Sequence, residues 1–150
     1  MEAFAQQLSL AIPQLSATGR EIIGLLAESG GCIDCPDSFA MRVHLRSRHQ
    51  LARVLRREGL PQIEELCAWI KVLALLLDHE RTHRSLYTIS MNASLYPPTC
   101  YRLVKRVTSK TWRQACDDGF GIMLVRFVNR CLTVSGPRNS SISIGVTQSA

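Results

Sequence analysis

The stretch RVLRR at residues 53–57 recurs as RLVKR at residues 102–106, 49 positions later in the chain. Each copy is an arginine followed by two apolar residues and two bases. In an α-helix this order lets the apolar pair join a buried stripe while the bases face water. The preceding stretches also match, since FAM at residues 39–41 corresponds to ISM at residues 89–91. Two copies of a short helix, a turn and a basic helix suggest a protein that reads a nucleic-acid groove with two arms.

Positive charge is concentrated in these two repeated segments. Residues 41–60 hold six arginines against one glutamate, and residues 81–116 hold seven basic residues and no acid. By contrast, residues 1–40 hold one arginine against five acids, and residues 61–80 hold one lysine against four. A surface charged only for solubility would mix the two signs, so the clustering favours a polyanionic partner.

Length and composition favour a helical intracellular protein. The 150 residues suit one domain or two small subdomains, and 46% hydrophobic residues can form a proper core. Only 6% of the residues are aromatic and few runs alternate as strands do, so helix is the expected element. The first base is Arg20, which does not suit a secretory signal. The apolar run at residues 72–77 falls far short of the roughly 20 residues that span a bilayer. We expect a soluble, cytoplasmic protein without a membrane partner.

The cysteines and histidines offer a metal site as an alternative. Cys32 and Cys35 have the spacing of a zinc knuckle, and His79 and His83 have that of a ligand pair on a helix. However, 43 residues lie between the two pairs, against roughly 12–15 in a compact finger. We therefore expect no metal and no cofactor. The other four cysteines lie among apolar residues, as reduced core thiols do: Cys67, Cys100, Cys116 and Cys131.

Capping and breaking residues divide the chain into segments. Asp37 or Ser38 can cap the first helix of the first unit, Ser47 can cap its second, and the Gly-Leu-Pro stretch at residues 59–61 ends it. In the second unit Ser85 can cap the first helix, and a Pro-Pro pair at residues 97–98 begins the second. The expected segments are an N-terminal extension at 1–31, a first helix-turn-helix at 37–60, a connecting helix at 61–80, a second helix-turn-helix at 84–118, and a C-terminal segment at 119–150 whose last residues, 135–150, form a disordered tail.

The connecting helix is apolar on more than one face, so we expect it to be buried on two sides with each unit docked on it. An ordinary core helix would show the same pattern. The fold class expected is all-α, with two helix-turn-helix subdomains joined by a long buried connecting helix and an N-terminal accessory helix. The apolar positions of the connecting helix are Ile63, Leu66, Trp69, Ile70, Leu73, Leu76 and Leu77.

These features together resemble the DNA-binding module of the AraC-type (arabinose-regulator) transcription factors. Residues 47–59 follow that family's order of serine, leucine, arginine, hydrophobic residue, two bases, glutamate and glycine, and residues 102–109 resemble its second signature. The resemblance runs from about residue 38 to residue 116. The chain departs from the family at His44, Ser94 and Ser109, where glycine is usual. It also departs in a second unit that is one residue short around residues 95–97 and has Val104 in place of an aromatic residue.

The resemblance implies that each basic helix lies in a major groove of double-stranded DNA. Arg53 and Arg102 would then project toward the same side of the molecule, roughly one duplex turn (about 34 Å) apart. The alternative for Arg53 is an intramolecular ion pair with Glu58 or Glu64. The implied base-reading residues are His49, Ala52, Arg53, Thr99, Tyr101 and Arg102. The residues implied to contact phosphates are Arg48, Arg56, Arg57, Lys105, Arg106 and Lys110.

Two functions follow from this sequence. The first is a sequence-specific DNA-binding transcriptional regulator, a monomer or weak homodimer, with RNA polymerase as a second candidate partner. The second is a protein-interaction module that keeps the fold but docks an acidic protein surface. An enzyme is not expected, because the chain has no GxSxG, P-loop or HExxH motif.

Overall fold

The computed structural model of the chain describes residues 2–135, and every regular element in that range is an α-helix. The all-α expectation is confirmed. Within the same range, no helix combines the length and apolar character that crossing a bilayer requires. The helices are α1 (Glu2–Ala11), α2 (Ala17–Glu28), α3 (Pro36–Arg42), α4 (Arg48–Glu58), α5 (Ile63–Thr82), α6 (Leu86–Asn92), α7 (Pro97–Thr108) and α8 (Trp112–Ser135).

Helix α5 runs through the centre of the core. Ten of its 20 residues are buried, and it packs on α2, α6, α7 and α8. All seven positions expected in its apolar pattern are buried except Leu77, which is partly buried. Val72 and Leu75, outside that pattern, are buried as well, so more than one face of the helix is covered. The prediction of a helix that is apolar and buried on several sides is confirmed.

Helices α3 and α4 form a first helical pair, and α6 and α7 form a second, each joined by the same turn. In the first pair the Leu45 amide donates to the Ala40 carbonyl at 2.8 Å. In the second pair the Leu95 amide donates to the Ser90 carbonyl, also at 2.8 Å. These bonds span five residues and close the end of the first helix of each pair, as in a Schellman turn. The repeat seen in the sequence is therefore a repeat of backbone structure.

The three residues that replace the family's glycines all have a left-handed backbone conformation. His44, Ser94 and Ser109 have φ values of 61°, 56° and 60°. Glycine adopts this conformation without the steric cost that a β-carbon brings. The positions that the resemblance assigned to glycine thus need a glycine-like backbone, although this chain places other residues there.

Most of the expected helix caps are present. The Ser47 and Ser85 hydroxyls accept hydrogen bonds from main-chain amides three residues ahead, at 3.3 and 3.2 Å. Pro97 is the first residue of α7, where its missing amide hydrogen costs nothing. These caps set the starts of α4, α6 and α7 where the sequence predicted them.

The expected cap of α3 was wrong. The prediction placed it at Asp37 or Ser38, but the helix begins at Pro36 and its cap is Cys35. The Cys35 thiol accepts a hydrogen bond from the Ser38 amide at 3.4 Å. Proline at the first helical position fixes φ in the helical range, so the helix begins earlier in the chain than predicted.

The N-terminal extension contains two helices rather than the single accessory helix expected. Helix α1 packs on α2 and also reaches α8, where the Phe4 and Phe120 rings meet edge to face with centroids 6.2 Å apart. Leu8 and Ile12 are fully buried in the same layer. The extension is thus part of the main core.

Helix α8 continues past residue 118 and supplies much of the core. It packs on α1, α4, α5 and α7, and so supports both basic helices. A kink at Gly119 (φ 87°, ψ 167°) interrupts it, and the Glu80 carboxylate of α5 accepts a hydrogen bond from the Phe120 amide there at 2.7 Å. The second helical pair docks on α5 as expected, whereas the first packs chiefly on α2 and α8. Of the expected tail, residues 136–150 lie outside the described residues.

The Glu58 carboxylate at the end of α4 joins that helix to the start of α2. It accepts hydrogen bonds from the Ser16 amide at 2.9 Å and from the Ser16 hydroxyl, while Ser16 itself caps α2. Glu58 is 9% exposed, and its negative charge lies at the positive end of the α2 dipole. A β-carbon at Gly19 would lie 2.7 Å from the Glu58 Oε2 atom, so a larger residue there would displace the carboxylate from its hydrogen bonds with Ser16.

Substitution of Gly19 by alanine tests this junction. Alanine favours a helix by about 1 kcal/mol over glycine, but here its β-carbon would collide with Glu58 and also approach Leu15 at 3.1 Å. We expect Gly19→Ala to lower the free energy of unfolding by about 1–3 kcal/mol. The matched control is Gly24→Ala in the same helix, where a β-carbon meets nothing within 4 Å; we expect it to be neutral or to stabilise by about 0.5–1 kcal/mol. Urea unfolding measures both, and a gain in stability from both variants would contradict the close contact.

Candidate nucleic-acid interface

Helix α4 divides its residues as the sequence predicted. Leu51, Val54 and Leu55 are buried against the core. His49 and Arg53 are exposed on the opposite side, and Ala52 between them is half-buried. Two of the three base-reading candidates of this helix therefore have free access to a partner, and Ala52 has partial access.

Helix α7 shows the same division with a shallower apolar side. Val104 is fully buried, while Leu103 and Val107 are only partly buried. The three base-reading candidates of this helix all lie on its exposed side: Thr99, Tyr101 and Arg102.

Neither of the arginines at equivalent positions is held by an acid. Across residues 2–135, Arg53 and Arg102 form no ion pair, and Glu58 instead accepts its hydrogen bonds from Ser16. The alternative in which Arg53 pairs with Glu58 or Glu64 is therefore not seen. Both guanidinium groups project into solvent, where they can meet an external partner.

The phosphate candidates differ in how free their charges are. Arg56, Lys105 and Arg106 are exposed and form no ion pair within the described part of the chain, and Arg57 is exposed. Arg48 pairs with Asp37 through its Nε atom at 3.2 Å, although its side chain stays 61% exposed.

Asp37 braces the two helices of the first pair against each other. Its carboxylate also accepts the Arg48 main-chain amide at 2.9 Å, and this hydrogen bond is the main reason why the pKa of Asp37 is lowered. The brace joins the first turn of α3 to the first turn of α4. Part of the positive charge of Arg48 is thereby neutralised within the chain.

Lys110 is a phosphate candidate whose charge is paired within the chain. Its ammonium group forms an ion pair with the Asp118 carboxylate of α8, and the two side chains are 38% and 27% exposed. The contact brings together two residues eight positions apart, because the chain turns at Ser109 and re-enters a helix at Trp112. Lys110 thus holds the end of α7 to α8, and we remove it from the set of free cations.

Two exposed residues beside the basic helices, Arg46 and Tyr96, were not among the site residues predicted from the sequence. Arg46 lies in the turn before α4 with an exposed side chain, and its amide donates to the Gln50 side-chain oxygen at 2.8 Å. Tyr96, the residue before α7, is 69% exposed. Arg46 could have been proposed from the sequence, because it belongs to the basic segment at residues 41–60. Tyr96 could not, because a tyrosine in the sequence does not indicate whether its side chain is exposed.

The cysteines and histidines do not assemble into a metal site among the described residues. Of the six cysteines, Cys32 and Cys35 are exposed. Burial raises the pKa of Cys67 to about 11 and that of Cys131 to about 12, which keeps these thiols protonated near neutral pH. A hydrogen bond with the Ser38 hydroxyl lowers the pKa of Cys35.

Comparison with known proteins adds no relative to this picture. No family model matches the chain, and neither the characterised proteins nor the solved structures contain a significant match. The resemblance to AraC-type regulators therefore rests only on the sequence pattern between about residues 38 and 116.

Replacement of Lys110 tests its structural role. We expect Lys110→Met to lower the free energy of unfolding by about 0.5–1 kcal/mol, because it leaves a partly buried Asp118 carboxylate without its partner and solvent screens the pair. Lys105→Met is the matched control, since Lys105 is exposed and forms no ion pair with the residues that the structure describes; a change within about 0.5 kcal/mol is expected. Equal effects of the two variants in urea unfolding would show that the Asp118 contact stabilises nothing.

Proposed function

We propose that this protein is a sequence-specific regulator of transcription that inserts α4 and α7 into adjacent major grooves of double-stranded DNA. The observation that supports this most strongly is the pair Arg53 and Arg102. They occupy equivalent places on two basic helices, both are exposed, and neither has an acid partner in residues 2–135. In this proposal the two helical pairs are helix-turn-helix motifs.

The equivalence of the two pairs supports a shared task. The first helix and its turn repeat at a spacing of 50 residues, as Ala40 and Ser90 show by accepting the same turn hydrogen bond. The basic stretch repeats at 49, because only one residue separates Leu95 from α7 whereas two separate Leu45 from α4. The second pair is thus one residue shorter just before α7 begins. Within α7 the basic residues therefore keep the same spacing from the apolar residues as in α4.

The charges fit a division of labour on DNA. Arginine binds guanine through two parallel hydrogen bonds, which suits Arg53 and Arg102 at the centre of the exposed faces. Three further cations lie about one helical turn beyond these arginines and suit phosphate contacts, which position the protein without specifying sequence: Arg56, Lys105 and Arg106.

The remaining candidates have separate roles. The exposed base-reading set is completed by His49, Thr99 and Tyr101, and Ala52 can contact a thymine methyl group. Arg48, already paired with Asp37, is a phosphate ligand of reduced charge.

A protein-interaction module that docks an acidic protein surface is the competing function. It uses the same exposed cations, so salt dependence alone does not separate the two. Selection of bound duplexes from a random pool does. The proposal expects an enriched motif with two readable parts about one duplex turn (about 34 Å) apart, one for each basic helix. Recovery of duplexes without any enriched motif would favour the interaction module.

Alanine substitution of the two equivalent arginines tests base reading. We expect Arg53→Ala and Arg102→Ala each to weaken binding to the selected duplex by about 1–3 kcal/mol, because a bidentate contact with one base is lost. Binding to random duplexes should change far less. Measured dissociation constants that rise equally on both kinds of DNA would contradict the base-reading assignment.

Substitution of the flanking cations tests phosphate contact. We expect Arg56→Ala and Lys105→Ala to weaken all duplexes alike and to flatten the slope of log K against log salt by about one each. Arg20→Ala is the matched control, because Arg20 is exposed on α2 and lies outside both basic segments. A slope that stays the same in the Arg56 and Lys105 variants would remove these residues from the interface.

A further inference from the structure

A cleft lies along one side of α5. Its volume is about 380 Å³, within the range of roughly 300–1,000 Å³ usual for small-molecule sites. Helix α5 forms the floor, the N-terminal layer forms one wall through Phe4 and the turn at Ser29, and the second helical pair forms the other through Ile89 and Leu95. The cleft therefore joins three parts of the core.

The lining of the cleft is mostly apolar, with charges at defined places. Lys71, Asp78 and Arg81 of α5 all contribute to it. Lys71 is half-buried, Asp78 and Arg81 are exposed, and none of the three forms an ion pair within residues 2–135. Lys71 thus presents a positive charge to a mostly apolar space, and no acid within residues 2–135 forms an ion pair with it.

We propose that this cleft binds a small molecule with an apolar body and a single carboxylate. The carboxylate would pair with Lys71, and the body would lie against Leu75, Ile89 and Leu95. Asp78 also lines the cleft, and its negative charge opposes a carboxylate placed beside it, so the carboxylate of the ligand is assigned to Lys71. A cationic amphiphile is disfavoured by the net positive charge of the lining.

A ligand in this position would contact both the N-terminal layer and the turn of the second helical pair. Ala93 and Leu95 of that turn line the cleft, next to the left-handed Ser94. Binding to the folded state alone stabilises it, so occupancy should raise the free energy of unfolding. The binding itself does not depend on the DNA-binding role proposed above, and it is measured without DNA.

The chemical class is tested with three probes that share one ten-carbon chain: decanoate, decanol and decylamine. Titration calorimetry on the full chain should show decanoate binding with one-to-one stoichiometry, about tenfold more tightly than either other probe, because a charge-assisted hydrogen bond is added. Similar affinities for all three, or several molecules bound per chain, would overturn the proposal.

The anchor is tested by Lys71→Met, which keeps the length and helix propensity of the side chain. The affinity for decanoate should fall to that for decanol, while the affinity for decanol should not change. Arg113→Met on α8, outside the cleft, is the matched control and should change neither affinity. If Lys71→Met does not fold, Asp78→Asn gives the opposite test, since removal of the negative charge should tighten decanoate binding and leave decanol alone. Unchanged decanoate affinity in the folded variant would exclude the assigned anchor.

The location is tested through Cys32, which is exposed and lines the cleft. In a Cys35→Ser variant, whose serine keeps a good helix cap, Cys32 is the exposed thiol that remains among the six cysteines. Decanoate should slow the alkylation of Cys32 by iodoacetamide, with half-protection at its dissociation constant. Alkylation at the same rate with and without saturating decanoate would place the ligand elsewhere and overturn the proposal.

Discussion

Burial of α5 on several sides is the constraint on which the rest of the structure depends. Ten buried residues in one helix require neighbours on more than one face, and α2, α6, α7 and α8 supply them. Because apolar area must leave water, each of these helices turns its own apolar stripe toward the centre. The bases of α7 are then forced outward. Helix α5 begins with two acids, Glu64 and Glu65, and three of its later charged residues line the cleft: Lys71, Asp78 and Arg81.

The two helical pairs share a turn but are held by different means. The first pair is braced internally by Asp37 and Arg48 and is tied to α2 through Glu58 and Ser16, so charged groups secure both ends of α4. The second pair docks on α5 through apolar contacts, and Lys110 secures the end of α7 to α8. In each pair some cations stabilise the fold, while others, such as Arg53 and Arg102, form no ion pair within residues 2–135. Only those without an intramolecular partner can contribute their full charge to an external polyanion.

Sequence reasoning recovered the elements whose signals are local. The starts of α4, α6 and α7 follow from Ser47, Ser85 and Pro97, because caps act within one helical turn. It placed the α3 cap wrongly, since a thiol at Cys35 is an unusual acceptor and the effect of Pro36 was overlooked. It missed α1 as a separate helix and did not anticipate how far α8 extends. Both are ordinary amphipathic stretches whose importance comes from distant partners, as the contact of Phe4 with Phe120 shows.

The sequence alone predicted the helical class, the duplicated unit and the division of α4 and α7 into an apolar and a basic side. These features can be read locally because periodicity and charge are properties of neighbouring residues. Tertiary structure decided which charges stay free. Glu58 meets Ser16 across 42 positions and Lys110 meets Asp118 across a chain reversal. It also created the cleft beside Lys71 from three separate segments. Ion pairs and cavities depend on distances in space, and these are set only when the core has packed.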